Sequence, residues 1–300
     1  MKYNFAIDKS AINVNWTDEQ KMEVLTNAIL GAPSLDLFRK VPNVKGNFTV
    51  NTFDSMPAIQ AGSCGFNANG DVKLSQRLCE PADMKVNMSW CEHDLLKTFA
   101  EYGVNITAGQ EDLDLNTRFQ ENISKHIAEQ MEKLIWNGNK TSGDFIDGYL
   151  TILQKTAESA LVHNVTYNAN DMVATVNAVY LAIPENILNE AVVYVGQDDF
   201  RQYVLELGSR NLYFYNPVIN EGMQFTIPNT TTTIKAVPGL NGKNKIVACR
   251  PTDFVYGFDN EMGHETVDFW YSKDAQEFRL AAKWMSGVQI AFPENVVLAK

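Results

Sequence analysis

The chain reads as an α+β fold, and three observations predict it. Apolar and polar positions alternate from Phe48 to Phe53, from Val72 to Leu78 and from Met84 to Trp90, the period of half-buried strands. One long amphipathic helix follows over residues 116–137. Beyond residue 160, helices and strands recur within one stretch, as in a compact lobe built from both. This order leaves residues 1–110 with no pattern able to fold alone.

Taken in order, residues 1–16 are extended and polar. A short helix begins at Thr17, where Thr17 and Gln20 make a capping box and Met22, Leu25, Ala28 and Ile29 form the apolar stripe. Gly31 and Pro33 stop it, and residues 34–44 read as a linker. Asn69-Gly70 lies between two alternating runs and signals a hairpin, because both residues tolerate positive φ. A hairpin of that size is marginal in water unless a third surface covers its apolar face. The ribbon, roughly 45–90, is therefore expected to protrude and to bury that face on another copy of the chain. A small helix over Glu92 to Tyr102 comes next.

Asp112 and Asp114 favour the positive end of the long helix, which starts near Asn116 or Thr117. Phe119, Ile123, Ile127, Met131 and Leu134 recur at helical spacing, with His126, Glu129, Glu132 and Lys133 around the outside. Asn137-Gly138 ends it after ~30 Å of rod. A single apolar stripe predicts a helix lying across a sheet. Further on, Asp171 caps a helix to about Ile183, with Val173, Val176, Val179 and Tyr180 on one side. Ala191–Val195 is a strand and residues 197–207 a helix. Short strands follow at Phe225–Ile227, Thr233–Val237, Lys245–Cys249 and Phe254–Phe258. Two long alternating strands, Glu265–Tyr271 and Phe278–Ile290, meet at the turn Ser272–Gln276, and a last strand covers Asn295–Leu298.

At 300 residues the chain exceeds a usual single core, so two lobes or a lobe with extensions are expected. A net charge of −11 argues against a surface that grips nucleic acid through clustered Lys and Arg. The first sixteen residues lack a secretory pattern, and no apolar run reaches membrane-spanning length. The expectation is a soluble protein made in a cytoplasm, with no membrane partner. Cys64, Cys79, Cys91 and Cys249 lack zinc-site spacing, and in that compartment they are expected as reduced, half-buried thiols. Asn-x-Ser/Thr triplets at eight positions from Asn15 to Asn229 reflect asparagine-rich composition.

No catalytic set converges. Gly62-Ser63-Cys64-Gly65 superficially resembles a papain-type cysteine signature, but Ala61 and Gly65 stand where a cysteine and an aromatic residue belong. His93, His126, His163 and His264 form no metal-ligand pair. Asp144 and Asp147 fit a Gly- and Asp-rich turn better than a calcium loop. Trp270, Trp284, Phe269 and Phe278 follow strand alternation and read as core. No nucleotide-binding glycine pattern is present, and neither cofactor nor metal is expected.

The order of elements resembles the major capsid proteins of tailed bacteriophages, the Hong Kong 97-like fold shared with encapsulin shells and the herpesvirus capsid floor. The resemblance spans the whole chain. Its sharpest parts are residues 135–150 (IWNGNKTSGDFIDGYL), residues 191–207 (AVVYVGQDDFRQYVLEL) and the finish from Gly257 to Leu298. It implies an N-terminal arm at 1–44 and an extended hairpin loop at 45–91. It further implies a peripheral domain at 92–159 and 260–291, with spine helix 116–137, and an axial domain at 160–259 and 292–300. Phe66, Asn69, Gly70, Val72, Leu74 and Leu78 of the hairpin would touch a neighbouring subunit. The implied role is structural: self-assembly into pentamers and hexamers of a head enclosing double-stranded DNA, with a portal and possible scaffold or decoration proteins as partners. An encapsulin-type compartment is the alternative, and a soluble β-rich enzyme a weaker one. Some members of the family join a loop lysine to a neighbour's asparagine with the help of a glutamate. Lys73 would be the lysine, but strand 278–290 contains no carboxylate, so non-covalent assembly is expected.

Overall fold

The computed structural model describes residues 18–62, 64–65, 69–91, 115–210, 223–227, 230–259 and 267–300. The expected capping box at Thr17 and Gln20, the helix over Glu92–Tyr102 and the side chains of Met22, Phe66 and Phe119 lie outside what is described. The fold is mixed, with two sheets and a separate hairpin.

Helix α1 spans Asp18–Leu30, and the short strand β1 spans Arg39–Val41. Strands β2 (Phe48–Pro57) and β3 (Gly70–Cys79) pair antiparallel along their whole length. Strand β4 (Ala82–Cys91) precedes the spine helix α2 (Leu115–Asn137). Helices α3 (Tyr149–Gln154) and α4 (Thr156–Ser159) follow, then β5 (His163–Val165), α5 (Met172–Ala182), β6 (Val192–Gly196) and α6 (Gln197–Ser209). The remaining strands are β7 (Gln224–Thr226), β8 (Thr233–Val237), β9 (Ile246–Cys249), β10 (Phe254–Phe258), β11 (Val267–Ser272), β12 (Glu277–Ile290) and β13 (Val297–Ala299).

The first sheet is organised by the long strand β12. β4 pairs with its residues 277–286 and β11 with 277–282, and β10 pairs with residues 286–290, carrying β1 on its outer side. The second sheet has the order β5-β13-β9-β6-β8-β7. Its middle strands are continuously apolar because both of their faces are covered. Tyr194, Val247, Cys249 and Leu298 point into the larger core, while Val193, Val195, Ile246, Ala248 and Val297 point into the smaller one. This sheet is therefore the partition between the two cores.

In the smaller core, α5 begins where the Asp171 carboxylate accepts the Ala174 amide at 2.8 Å, as its sequence predicts. Val173, Val176 and Val179 are buried there with Phe200 and Tyr203 of α6. In the larger core, Ile123, Ile127 and Met131 of α2 lie with Met84, Phe278, Leu280 and Trp284 of the first sheet. The end of α2 depends on two glycines. A Cβ on Gly138 would sit 2.5 Å from the Ile146 carbonyl oxygen, and one on Gly148 would sit 2.6 Å from the Trp136 backbone. Only bare backbone allows that crossing, which the Gly148 amide closes on the Gly138 carbonyl at 2.8 Å.

Several expectations fail for identifiable reasons. Asn69-Gly70 is no two-residue turn, since Gly70 opens β3 opposite Pro57 and residues 58–69 form the connection. Turn chemistry alone does not fix which residues pair. β4, read as part of the ribbon, is hydrogen-bonded into the first sheet, as is β10, expected in the axial segment. Residues 34–44 are no linker: Leu35 and Phe38 sit in the larger core, and α1 buries Val24, Leu25, Ala28 and Ile29 there. Glu132 is not on the outside but wholly buried, because α2 is covered on a second side where its Ser124 hydroxyl meets the Val24 carbonyl of α1. Trp270 is 41% exposed, on the opposite face of β11 from Phe269. The thiols divide instead of being half-buried: Cys64 and Cys91 are exposed, Cys79 and Cys249 buried.

Candidate assembly interface

The hairpin β2–β3 separates its residues by face. Directly opposed residues of an antiparallel pair point the same way, so Phe53 and Leu74 share a face, and Val72 and Leu78 join them at two-residue spacing. All four are exposed, Leu74 at 77% and Phe53 at 64%. Ile59, in the connection, is fully exposed as well. Of the residues assigned to subunit contact, Asn69, Gly70, Val72, Leu74 and Leu78 are exposed, and Phe66 lies outside the described residues. A row of large apolar side chains facing water is a candidate contact surface.

Among the described residues, the opposite face meets the body at its root. Phe48 lies so close to Gly257 that a Cβ there would be 2.6 Å from its ring. Val50 is buried with Val255 and Ala291. Cys79 is buried beside the Val288 carbonyl, 3.5 Å from its Sγ, and burial pushes its thiol up to about 12. The Gln289 amide donates to the Leu78 carbonyl at 2.5 Å. Ion pairs brace the root from the side: Arg77 with Glu158 at 2.6 Å, Lys140 with Glu80 at 2.8 Å and Lys155 with Asp147 at 2.9 Å. Desolvation raises Asp147, but the Lys140 amide and the Lys155 ammonium outweigh it and hold the carboxyl below its usual range. The turn read at Asp144 and Asp147 is confirmed, each carboxylate accepting a backbone amide at 2.9 Å.

Four of the five spine-stripe residues have described side chains. Ile123, Ile127 and Met131 are buried and Leu134 is partly so. Between this stripe and β4 runs a largely apolar groove of about 390 Å³ lined by Met84, Val86, Trp90, Ile127 and Phe145 among others.

Sequence reasoning missed the junction that fastens residues 33–36. Glu132 accepts the Ser34 hydroxyl at 2.5 Å and the Ser34 amide at 3.2 Å. The Trp136 indole N–H is shared between Glu132 at 3.1 Å and the Ser34 hydroxyl oxygen at 2.7 Å. Lys235, also buried, donates to the Pro33 carbonyl at 2.8 Å. Burial raises Glu132 above the usual carboxylate range despite these donors. No spacing rule brings Ser34 to Glu132; the helix pattern only shows that Glu132 and Trp136 share a face.

Among the described residues, no group of three or more His, Cys, Asp or Glu is placed to hold a metal ion, and no helix is long and apolar enough to cross a membrane. No protein-family model and no curated protein matches the chain. Solved structures do. The satellite phage P4 procapsid, solved with its size-determination protein, superimposes with a TM-score of 0.64 at 11% identity, covering 96% of this chain and 91% of its own. The capsid of the native GTA particle gives 0.56 at 12% identity, covering 91% and 90%. A virus-like particle from Pyrococcus furiosus gives 0.53 at 10% identity, covering 96% and 100%.

The chain has the phage-capsid fold. Within that fold, Phe53, Val72, Leu74 and Leu78 form an exposed apolar row on β2–β3, and the root contacts attach the hairpin to the body.

Proposed function

We propose that this chain is the shell-forming subunit of a tailed-phage head, assembling into pentamers and hexamers around double-stranded DNA. The observation that carries the reading is the capsid fold over at least nine-tenths of the chain, with Phe53, Val72, Leu74 and Leu78 exposed on the hairpin. A shell subunit requires obligate contacts between copies, and such contacts bury apolar surface. It requires no catalytic residues, so the role is structural. The net charge of −11 suits a wall that surrounds DNA without gripping it. A portal, and scaffold or decoration proteins, would complete the head.

The similarity to the Pyrococcus furiosus particle supports a second reading, an encapsulin-type compartment. Electron microscopy of the purified chain tests the shared part: closed shells are expected, and a chain that stays monomeric at high concentration refutes both readings. Nuclease-protected DNA in particles from the native source selects the phage head; an enclosed protein selects the compartment.

A further inference from the structure

The hairpin β2–β3 joins the body through a narrow root where two kinds of contact meet. Val50 and Arg77 are cross-strand partners on the same face. Val50 packs in a small apolar cluster, whereas Arg77 reaches Glu158 at 2.6 Å, with side chains only 15% and 19% exposed. Above them, residues 71–76 are exposed. Apolar packing is non-directional and tolerates rotation. A close ion pair with little solvent is directional and only weakly screened.

We propose that the Arg77–Glu158 pair, backed by Lys140–Glu80 and Lys155–Asp147, is a clamp that fixes the angle at which the hairpin leaves the body, and through it the curvature of the shell. Three features point to this. Glu158 keeps one buried carboxylate oxygen without a hydrogen-bond partner, so Arg77 is what compensates its charge. The side of the clamp away from the hairpin is itself rigid, because the Lys140 amide donates to the same Asp147 that Lys155 pairs with. Finally, the hairpin is a lever. The seven residue steps from the Val50–Arg77 pair to the Pro57–Gly70 pair span ~23 Å, so a 10° change at the root moves the tip by ~4 Å. An apolar row carried on that tip would meet a neighbouring copy at a different inclination.

The curvature step rests on the shell reading, while the clamp does not, and the test separates them. In a background carrying Cys64→Ser and Cys91→Ser, spin labels at Lys73→Cys on β3 and Lys133→Cys on α2 report the hairpin angle in the unassembled chain. The parent should give one narrow distance distribution. Arg77→Met should broaden it at least twofold, and the exchanged pair Arg77→Glu with Glu158→Arg should restore it. If Arg77→Met fails to fold, Arg77→Lys, which keeps the charge but loses the planar fork, should give an intermediate width. An unchanged width in these variants overturns the clamp. Particle diameters then decide the second step: Arg77→Met shells should spread in size, and broadened distances with unchanged diameters overturn the link to curvature. A parent that forms no shells overturns the shell reading, and the distance distributions still decide the clamp.

Discussion

Residues 33–38 and the hairpin beyond its root both precede the spine helix, and neither can fold by itself. One is drawn into the body and the other stays outside. Residues 33–38 bring Leu35 and Phe38 to a point where the rings of Trp136, Tyr149, Tyr194 and Phe254 lie within 6.1 Å of Phe38. Their polar groups are met as well, by Glu132 and Lys235. The hairpin instead carries its apolar residues on the face turned away from its own root. What separates the two is whether the chain supplies both a cavity and donors for the polar atoms. A segment given both becomes core; one given neither stays exposed.

The sharpest way to break that contrast is to remove the hairpin above its root. Replacing residues 53–74 by Asn-Gly keeps Thr52 opposite Ser75 and spares buried Cys79, which a cut through residues 60–80 would delete. Shell formation should be abolished in electron micrographs. Stability of the subunit in urea should change by no more than about 1 kcal/mol, since Phe53, Ile59, Val72 and Leu74 are exposed. Shells from the trimmed chain would show that the row is not an assembly surface.

The reverse change belongs on the other segment. Phe38→Ala removes a ring that is 5% exposed and touches four others. It should cost about 3–5 kcal/mol of subunit stability, read from the urea midpoint. A loss below about 1 kcal/mol would place residues 33–38 with the hairpin, as an extension.

The strands and the spine helix were legible because period and burial coincide there. β8 and β10 match their expected limits, and the buried stripe of α2 follows the predicted spacing. The exposed row at Val72, Leu74 and Leu78 was also legible, from alternation alone. Residues 33–38 and Glu132 were not. Their environment is set by partners about a hundred residues away, and a short apolar pair such as Leu35 and Phe38 carries no period. Glu132 adds a false signal, since a lone carboxylate on a helix reads as solvated. The ladder between β4 and β12 escaped for a related reason, because alternation marks a strand without naming its neighbour.

A smaller effect tests how the buried segment is fastened. The Glu132 carboxyl is raised by burial, so the folded chain keeps this proton at a pH where the unfolded chain, titrating near 4.5, has released it. Stability from this group is therefore fully present at low pH and is lost as pH rises through the raised folded value. Glu132→Gln has no proton to release, and its unfolding free energy should fall less with pH above 4.5 than that of the parent. Glu132→Ala should cost about 1–3 kcal/mol at any pH, because Ser34 and Trp136 lose their acceptor. Parallel pH profiles for parent and Glu132→Gln would mean that the Glu132 carboxyl titrates alike in both states.

The smallest expected effect is none at all: mature particles boiled in detergent should run as single chains. Covalent joining of the kind the family resemblance suggests needs a lysine amine, an asparagine carboxamide and a carboxylate that takes the amine's proton before attack releases ammonia. Lys73 is available, exposed on β3 opposite Asp54. The helper is what is lacking, because residues 278–290 of β12 carry only Arg279 and Lys283 as charged groups. A cation beside Lys73 would lower the amine's pKa but accept no proton. Glu277, at the start of β12, is held 3.5 Å from Arg279, and Glu294 lies exposed in the turn before β13. Neither belongs to the stretch 278–290, where the family resemblance places the helper. A ladder of multimers on a reducing denaturing gel would show that one of these carboxylates is desolvated in the assembled shell, and that the contact made by the hairpin is sealed covalently.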